Sequence, residues 1–396
     1  MSRELVFLFK TIYQTLLVKI TLNIYRVFTS KIDQILLAKQ RLKKRNFELI
    51  DLAPSKVLAI FSINNWEEQL LEPLKLLGEV HHHTWANIGN FYNSRSEWEV
   101  AYDKINSDIK SKFDSLYDKE SNIIIFLYAS DFVISKKTMK HFQNSNTLII
   151  SFCWDDILYF KGMVKRQPVG VSQLSSEADI NLTFSPEAIP QYNFFKSPCF
   201  FWSSIPKTIL NEQPLNYNIH TNFYVLFIGS KYGHREVFVH KLIKKGIPVK
   251  CFGSGWSNGN ISETQMHMEI ANAPVTLGFS NVGYTRNITT IKGRDFEVPL
   301  LGGLYLTQFS KGLELYYKPG KEILTYMNFE NCISQITWIQ QNPKDAFQIR
   351  LAGYLKALQN CTWESRMEYL KQIISLTTSE LPIIKPNQIQ INVDKI

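Results

Sequence analysis

The stretch Lys292-Gly293-Arg294-Asp295-Phe296-Glu297-Val298-Pro299 gathers two bases and a carboxylate into one short segment, closed by Gly302-Gly303. Lys292 and Arg294 can neutralise a diphosphate, and the Glu297 carboxylate can accept hydrogen bonds from both hydroxyls of a ribose. Proline is best tolerated in the first turn of a helix, so Pro299 predicts a short helix starting near Asp295, with Asp295 as its cap. A capped helix with solvated charges is the competing reading.

Two glycine loops precede it. Gly229-Ser230-Lys231-Tyr232-Gly233-His234-Arg235 follows the apolar run FYVLFI and opens a helical pattern. Glycines admit close backbone approach, a helix start offers N–H donors, and Lys231 and Arg235 add charge, which suits a phosphate. The loop is neither a Walker loop nor a Gly-x-Gly-x-x-Gly fingerprint. Cys251-Phe252-Gly253-Ser254-Gly255-Trp256 carries half of such a fingerprint, with Asn258 where the third glycine would stand. Sharp strand-to-helix turns use the same glycines without any ligand.

Nearer the amino terminus, Trp154-Asp155-Asp156 follows the strand pattern TLIISF, and either carboxylate can deprotonate an acceptor hydroxyl. A hydrogen-bonded turn or an acceptor contact would use the same residues. His81-His82-His83 alternates along an expected strand and lacks the further ligands of a metal site, so no metal is assigned.

These residues need a scaffold that brings loops to one rim. From Lys56 onward short β-branched or aromatic runs alternate with helical stretches, the pattern of parallel α/β sheets. Strands are expected at Lys56–Phe61, Glu79–Thr84, Asn122–Tyr128, Thr147–Phe152 and Ile180–Phe184, then at Phe223–Ile228, Pro248–Phe252, Val275–Phe279 and Leu304–Thr307. Helices are expected at Trp66–Leu77, interrupted by Pro73, at Arg235–Lys245, Glu263–Ala271 and Phe329–Gln340, and as one element at Asp345–Ser375. Five prolines within residues 185–221 mark a linker. The expected organisation is a basic helical segment at 1–50, one Rossmann-like domain at 51–215, a second at 216–378 and a tail at 379–396. Ligands of such sheets bind outside the carboxyl ends of the strands, here across a cleft between the domains.

Net charge is +9, and its distribution decides what it means. Residues 1–45 hold ten bases against two acids, a net of +8, which leaves +1 for the other 351. A nearly neutral body argues against nucleic acid. Leu5–Phe28 reads as one long helix, but Lys10, Lys19 and Arg26 oppose a membrane span. The cluster Arg41, Lys43, Lys44 and Arg45 suits anionic headgroups, giving a peripheral membrane contact; packing on protein is the alternative. Lys10 and Lys19 point to opposite sides of the helix, so its polar face is not clean. Five cysteines without a Cys-x-x-Cys pair fit a reducing cytoplasm.

Taken together, the two glycine loops, the Lys292-to-Gly303 segment and Pro319-Gly320-Lys321-Glu322 resemble the CgeB-like branch of group 1 glycosyltransferases, in the family's order, over about residues 223–370. The resemblance implies the GT-B architecture and transfer of a sugar from a nucleoside-diphosphate-sugar to a hydroxyl of a glycan, a lipid-linked glycan or a protein, with no cofactor. It makes Arg235 and Lys292 or Arg294 donor-phosphate contacts and Glu297 the ribose-binding glutamate. The second glutamate common in the broader group, eight positions earlier, is Thr289 here, so a glutamate pair and a retaining outcome do not follow. Thr362-Trp363-Glu364-Ser365-Arg366 resembles the helix that crosses back toward the first domain in this fold. A non-catalytic nucleotide- or carbohydrate-binding protein at a membrane is the alternative function.

Overall fold

The structure is a computed structural model that describes residues 3–29, 32–49, 55–63, 67–88, 94–164, 167–202, 222–285 and 288–379. Most of the expected linker, from 203 to 221, lies outside the described residues, as do the boundary near 215, Trp66 and the tail beyond 379. Two compact units divide the chain, one of residues 1–18 and 203–366, the other of residues 19–202 and 367–396.

The unit of residues 19–202 and 367–396 carries strands β1 (Ser55–Ile60), β2 (Glu79–His83), β3 (Asn122–Leu127), β4 (Thr147–Cys153), β5 (Lys161–Val164), β6 (Gln167–Gly170), β7 (Ile180–Thr183) and β8 (Cys199–Phe201). Six form one sheet in the order β2-β1-β3-β4-β7-β8, paired parallel throughout, and β5 with β6 makes a small antiparallel ribbon. Every residue of β3 is buried, which is why this strand reads as an unbroken apolar run. The sequence reading places no helix between β2 and β3. The structure has a long one, Arg95–Leu116, capped by the Ser94 side chain and packed on the sheet through Ala101, Ile105, Ile109 and Phe113.

The other unit carries β9 (Val225–Ile228), β10 (Val249–Phe252), β11 (Val275–Gly278), β12 (Tyr305–Gln308) and β13 (Leu324–Tyr326) in a parallel sheet of order β10-β9-β11-β12-β13. The chain runs from β9 outward to β10 and then returns to β11 on the other side of β9. The switch point of this sheet therefore lies between β9 and β11. Helices His234–Lys244, Glu263–Asn272, Arg294–Leu300 and Phe329–Gln341 flank it. The stretch expected as one helix over 345–375 is two, Pro343–Asn360 and Trp363–Thr378, broken at Cys361. Thr362 accepts from the Ser365 amide, and the Ser365 hydroxyl bonds the Asn360 carbonyl, which restarts the backbone as a new helix. The expected helix Trp66–Leu77 shrinks to one 3₁₀ turn, Glu67–Leu70, and the single turn Leu71–Leu74. The expected linker holds a short helix, Ile189–Phe194, and the edge strand β8 before the described residues end at Trp202.

The amino-terminal helix spans Arg3–Phe28, and no described helix is long and apolar enough to cross a membrane. A second helix, Gln34–Lys44, carries the basic cluster, and two of its four cations turn inward. Arg45 donates to the fully buried Asp179 carboxylate at 2.7 Å and to the Thr147 carbonyl at 2.8 Å. Burial also depresses the Arg41 guanidinium, which faces Asp179 and Glu177. Only Lys43 and Lys44 of that cluster stand exposed.

Candidate active site

Parallel strands deliver the loops after β9, β10 and β11 to one rim, where the backbone locks the first two together. Gly229 N donates to the Phe252 carbonyl at 2.9 Å, Lys231 N to that of Ser254 at 2.8 Å, and the Trp256 indole to that of Gly229 at 2.8 Å. Gly253 sits at φ 121°, and a Cβ there would lie 2.5 Å from the Gly229 oxygen, so only glycine permits this approach. Gly255 at φ 87° brings the second turn against the Lys231 side chain. Ser230 is exposed, and its carbonyl accepts from Arg235 at 3.2 Å. Lys231 lies over the Trp256 ring and pairs with Glu236 at 3.0 Å, so its charge is partly engaged.

Gly233, at φ 60°, starts the helix His234–Lys244 without a side-chain cap. Arg235, in its first turn, stacks on Tyr232 at 4.3 Å and lies over Phe227 at 5.8 Å, which aims the guanidinium across the loop. A small pocket is lined by Tyr232, His234, Arg235, Phe279, Asn281 and Gly283, residues that follow β9 and β11. It therefore sits at the topological switch point.

The third loop departs in detail from expectation. Its helix is Arg294–Leu300 with Gly293 at the cap position, so Asp295 lies inside the helix and Pro299 in its second turn. Asp295 works from within: fully buried, it accepts from the Lys292 amide at 2.7 Å and the Thr307 hydroxyl at 3.0 Å, tying the loop to β12. Burial lifts its pKa to about 6 against those bonds. Proline at position 299 is tolerated because the helix has only seven residues and ends at once in Gly302 at φ 70°. Arg294 pairs with Glu297 one turn on, and the Glu297 side chain is only 6% exposed. Burial brings the Arg294 pKa to about 10, with the charge of Arg235 adding to the fall, so it stays protonated at neutral pH.

Of the residues read from sequence, Gly229, Ser230, Lys231, Gly253, Gly255 and Lys292 lie on loops that follow strands of one sheet, Arg235, Arg294 and Glu297 lie in the opening turns of the helices after them, and Arg235 and Arg294 are close enough to feel each other's charge. The sequence reading does not single out Phe279, Asn281 and Gly283; the signal it offers is the glycine at 283, which adopts φ 54° in the structure. Thr289, in place of the second glutamate, pairs with Asn281 in an isolated bridge.

Asp155 and Asp156 follow β4 in the other unit. Asp156 is completely buried and accepts from the Tyr192 hydroxyl at 2.7 Å, and desolvation lifts its pKa to about 7. Asp155 is half-buried, with its carbonyl turned to the Leu158 and Tyr159 amides. His82 lies against the Phe61 carbonyl at 2.9 Å, and no three potential metal-ligating side chains converge among the described residues.

Residues 235–372 match the family model described as glycosyl transferase-like. Among solved structures, the chain resembles Anabaena HepE in complex with UDP and glucose at a TM-score of 0.52 and 10% identity, over 81% of this chain and 99% of that one. It resembles sucrose-phosphate synthase from Thermosynechococcus elongatus at 0.54 and 12%, over 81% and 98%. A glycosyltransferase from Rickettsia africae gives 0.54 and 10%, over 83% and 100%. No curated protein matches in sequence.

Proposed function

We propose that this chain, a glycosyltransferase of GT-B architecture, holds the diphosphate of a nucleotide-sugar at the β9/β11 switch point and passes the sugar to a hydroxyl acceptor on a glycan, a lipid-linked glycan or a protein. The observation that carries the reading is Arg235, which lines the pocket and lies near enough to Arg294 for their charges to interact, while Arg294 pairs with Glu297. UDP bound to a neighbour of the same fold supports a nucleotide donor. The series of motifs favours the group 1 type and its CgeB-like branch.

Arg294 and Glu297 neutralise each other in the structure. A donor brings a diphosphate for the first and a ribose diol for the second, and so replaces the pair group for group. As the glycosidic bond breaks, negative charge grows on the leaving diphosphate. Arg235, Lys292 and Arg294 then bind it more strongly than they bind the ground state, which lowers the barrier. Of the two aspartates, only Asp155 has solvent access, so it is the one proposed to accept the acceptor's proton. The five free cysteines fit a reducing cytoplasm.

Turnover of a panel of nucleotide-sugars by Arg294→Ala tests the reading. A loss of at least about tenfold, equivalent to about 1.4 kcal/mol, is expected with an unchanged circular dichroism spectrum. Full turnover by the folded variant would overturn it.

A further inference from the structure

The helix Arg3–Phe28 is two-sided in an unusual sense: both of its faces are largely apolar, and only one is covered by protein. The covered face carries Thr11, Val18 and Leu22, all buried. It is pinned at several points. Phe7 meets the His234 ring at 4.9 Å, Gln14 accepts from the Tyr284 amide at 2.9 Å, Tyr25 packs on Phe194 at 5.0 Å, and Arg26 pairs with Glu187 at 2.8 Å. The opposite face shows Leu8, Phe9, Ile12, Tyr13, Leu16 and Ile20 at 51 to 65% exposure, and continues through Ile24 and Val27 to Phe28. Their three- and four-residue spacing makes one continuous stripe along the helix. Soluble monomers rarely leave so large an apolar patch uncovered.

Charge identifies the occupant. At about 100° per residue, Lys10 falls on one border of the stripe and Lys19 and Arg26 on the other, while no Asp or Glu occurs between residues 5 and 28. The two lysines that seemed misplaced on a helix expected to have one wet face are the two edges of an apolar face whose back is protein. Long cationic side chains at such borders keep their ammonium groups at headgroup level while the apolar stripe sinks below them. The helix does not qualify as a membrane span, which leaves it lying in the plane of the surface. Residues 1–45 hold nearly all of the chain's excess positive charge, and a partner protein would need an apolar groove bordered by acids on both sides.

We infer that this face seats the protein on the surface of an anionic lipid bilayer, with the helix parallel to the membrane and buried to the depth of its exposed stripe. The attachment goes beyond the transfer reaction and does not depend on the donor reading.

Co-sedimentation of the full-length chain with vesicles tests it, comparing phosphatidylcholine alone with phosphatidylcholine containing phosphatidylglycerol. Strong binding is expected only where the anionic lipid is present. Leu16→Glu, which alters an exposed position, should weaken it by at least about tenfold, and Lys10→Glu with Lys19→Glu by a similar factor, with the melting temperature of both variants unchanged. Failure of the native chain to sediment, or equal binding by the stripe variant, would overturn the assignment. So would a dimer in analytical ultracentrifugation that Leu16→Glu disperses in the absence of vesicle binding, since it gives the face to a second copy.

Discussion

At the scale of single residues, Gly253 is the position where geometry constrains the chain most tightly. Its positive φ and the 2.5 Å separation that a Cβ would have from the Gly229 oxygen mean that Gly253→Ala must displace two loops at once. We expect a loss of about 1–3 kcal/mol of stability and weaker binding of a nucleoside diphosphate, read by thermal melting with and without the nucleotide. Such a glycine is legible in sequence because the requirement is local: a sharp turn after a strand needs φ > 0. Asp155 and Asp156 show the opposite case. They are adjacent in sequence and chemically alike, yet Asp156 is sealed under Tyr192, and only the folded chain brings that phenol to it.

Among elements, nine of the eleven strands in the two described sheets are legible, mostly because parallel strands covered on both faces are continuous apolar runs; the three-residue edge strands β8 and β13 are too short to show such a run. Helix ends were harder. The Asp345–Ser375 pattern continues through Cys361, and the break comes from hydrogen bonds of Thr362 and Ser365 that compete with the helical ladder. The helix Arg95–Leu116 was missed although Ile105, Ile109 and Phe113 recur at four-residue spacing, because the polar residues between them dilute the apolar signal. Helix Pro343–Asn360 is tied to two neighbouring helices by one side chain. Arg350 donates to the carbonyls of Gly302 and Ala271, which end the helices Arg294–Leu300 and Glu263–Asn272. Arg350→Met orphans both acceptors and should cost at least about 1 kcal/mol for each, measured by chemical denaturation.

For the molecule as a whole, buried carboxyls that desolvation raises, Asp131, Asp156, Asp179 and Asp295 among the described residues, set a pH dependence. Burial holds Asp156 at about 7 and Asp179 and Asp295 at about 6, above the ordinary value of an unfolded aspartate. A raised folded pKa means the native state binds the proton more tightly than the unfolded chain. The stability this adds is fully present below about pH 4 and is lost as pH rises to about 7. Melting temperatures measured at pH 5 and pH 8 should therefore fall from the first to the second on account of these groups, and Asp156→Asn should shrink the difference. A larger difference in the variant would contradict the assignment. The charge map is only half legible: the excess at the amino terminus is plain in the sequence, but its division between exposed and inward cations is not. Arg45 was read as a surface charge and instead meets Asp179, because that carboxylate arrives from a position 134 residues further along.

The cysteines carry a consequence of their own. Four of the five are buried, and desolvation raises all five thiol pKa values above the ordinary range, so the native chain offers little thiolate at neutral pH. Electrophiles and oxidants then find these sulfurs chiefly when the fold opens. Both units own such groups, Cys153 and Cys199 in one and Cys251, Cys332 and Cys361 in the other, so alkylation works as an internal clock that times the opening of each half separately.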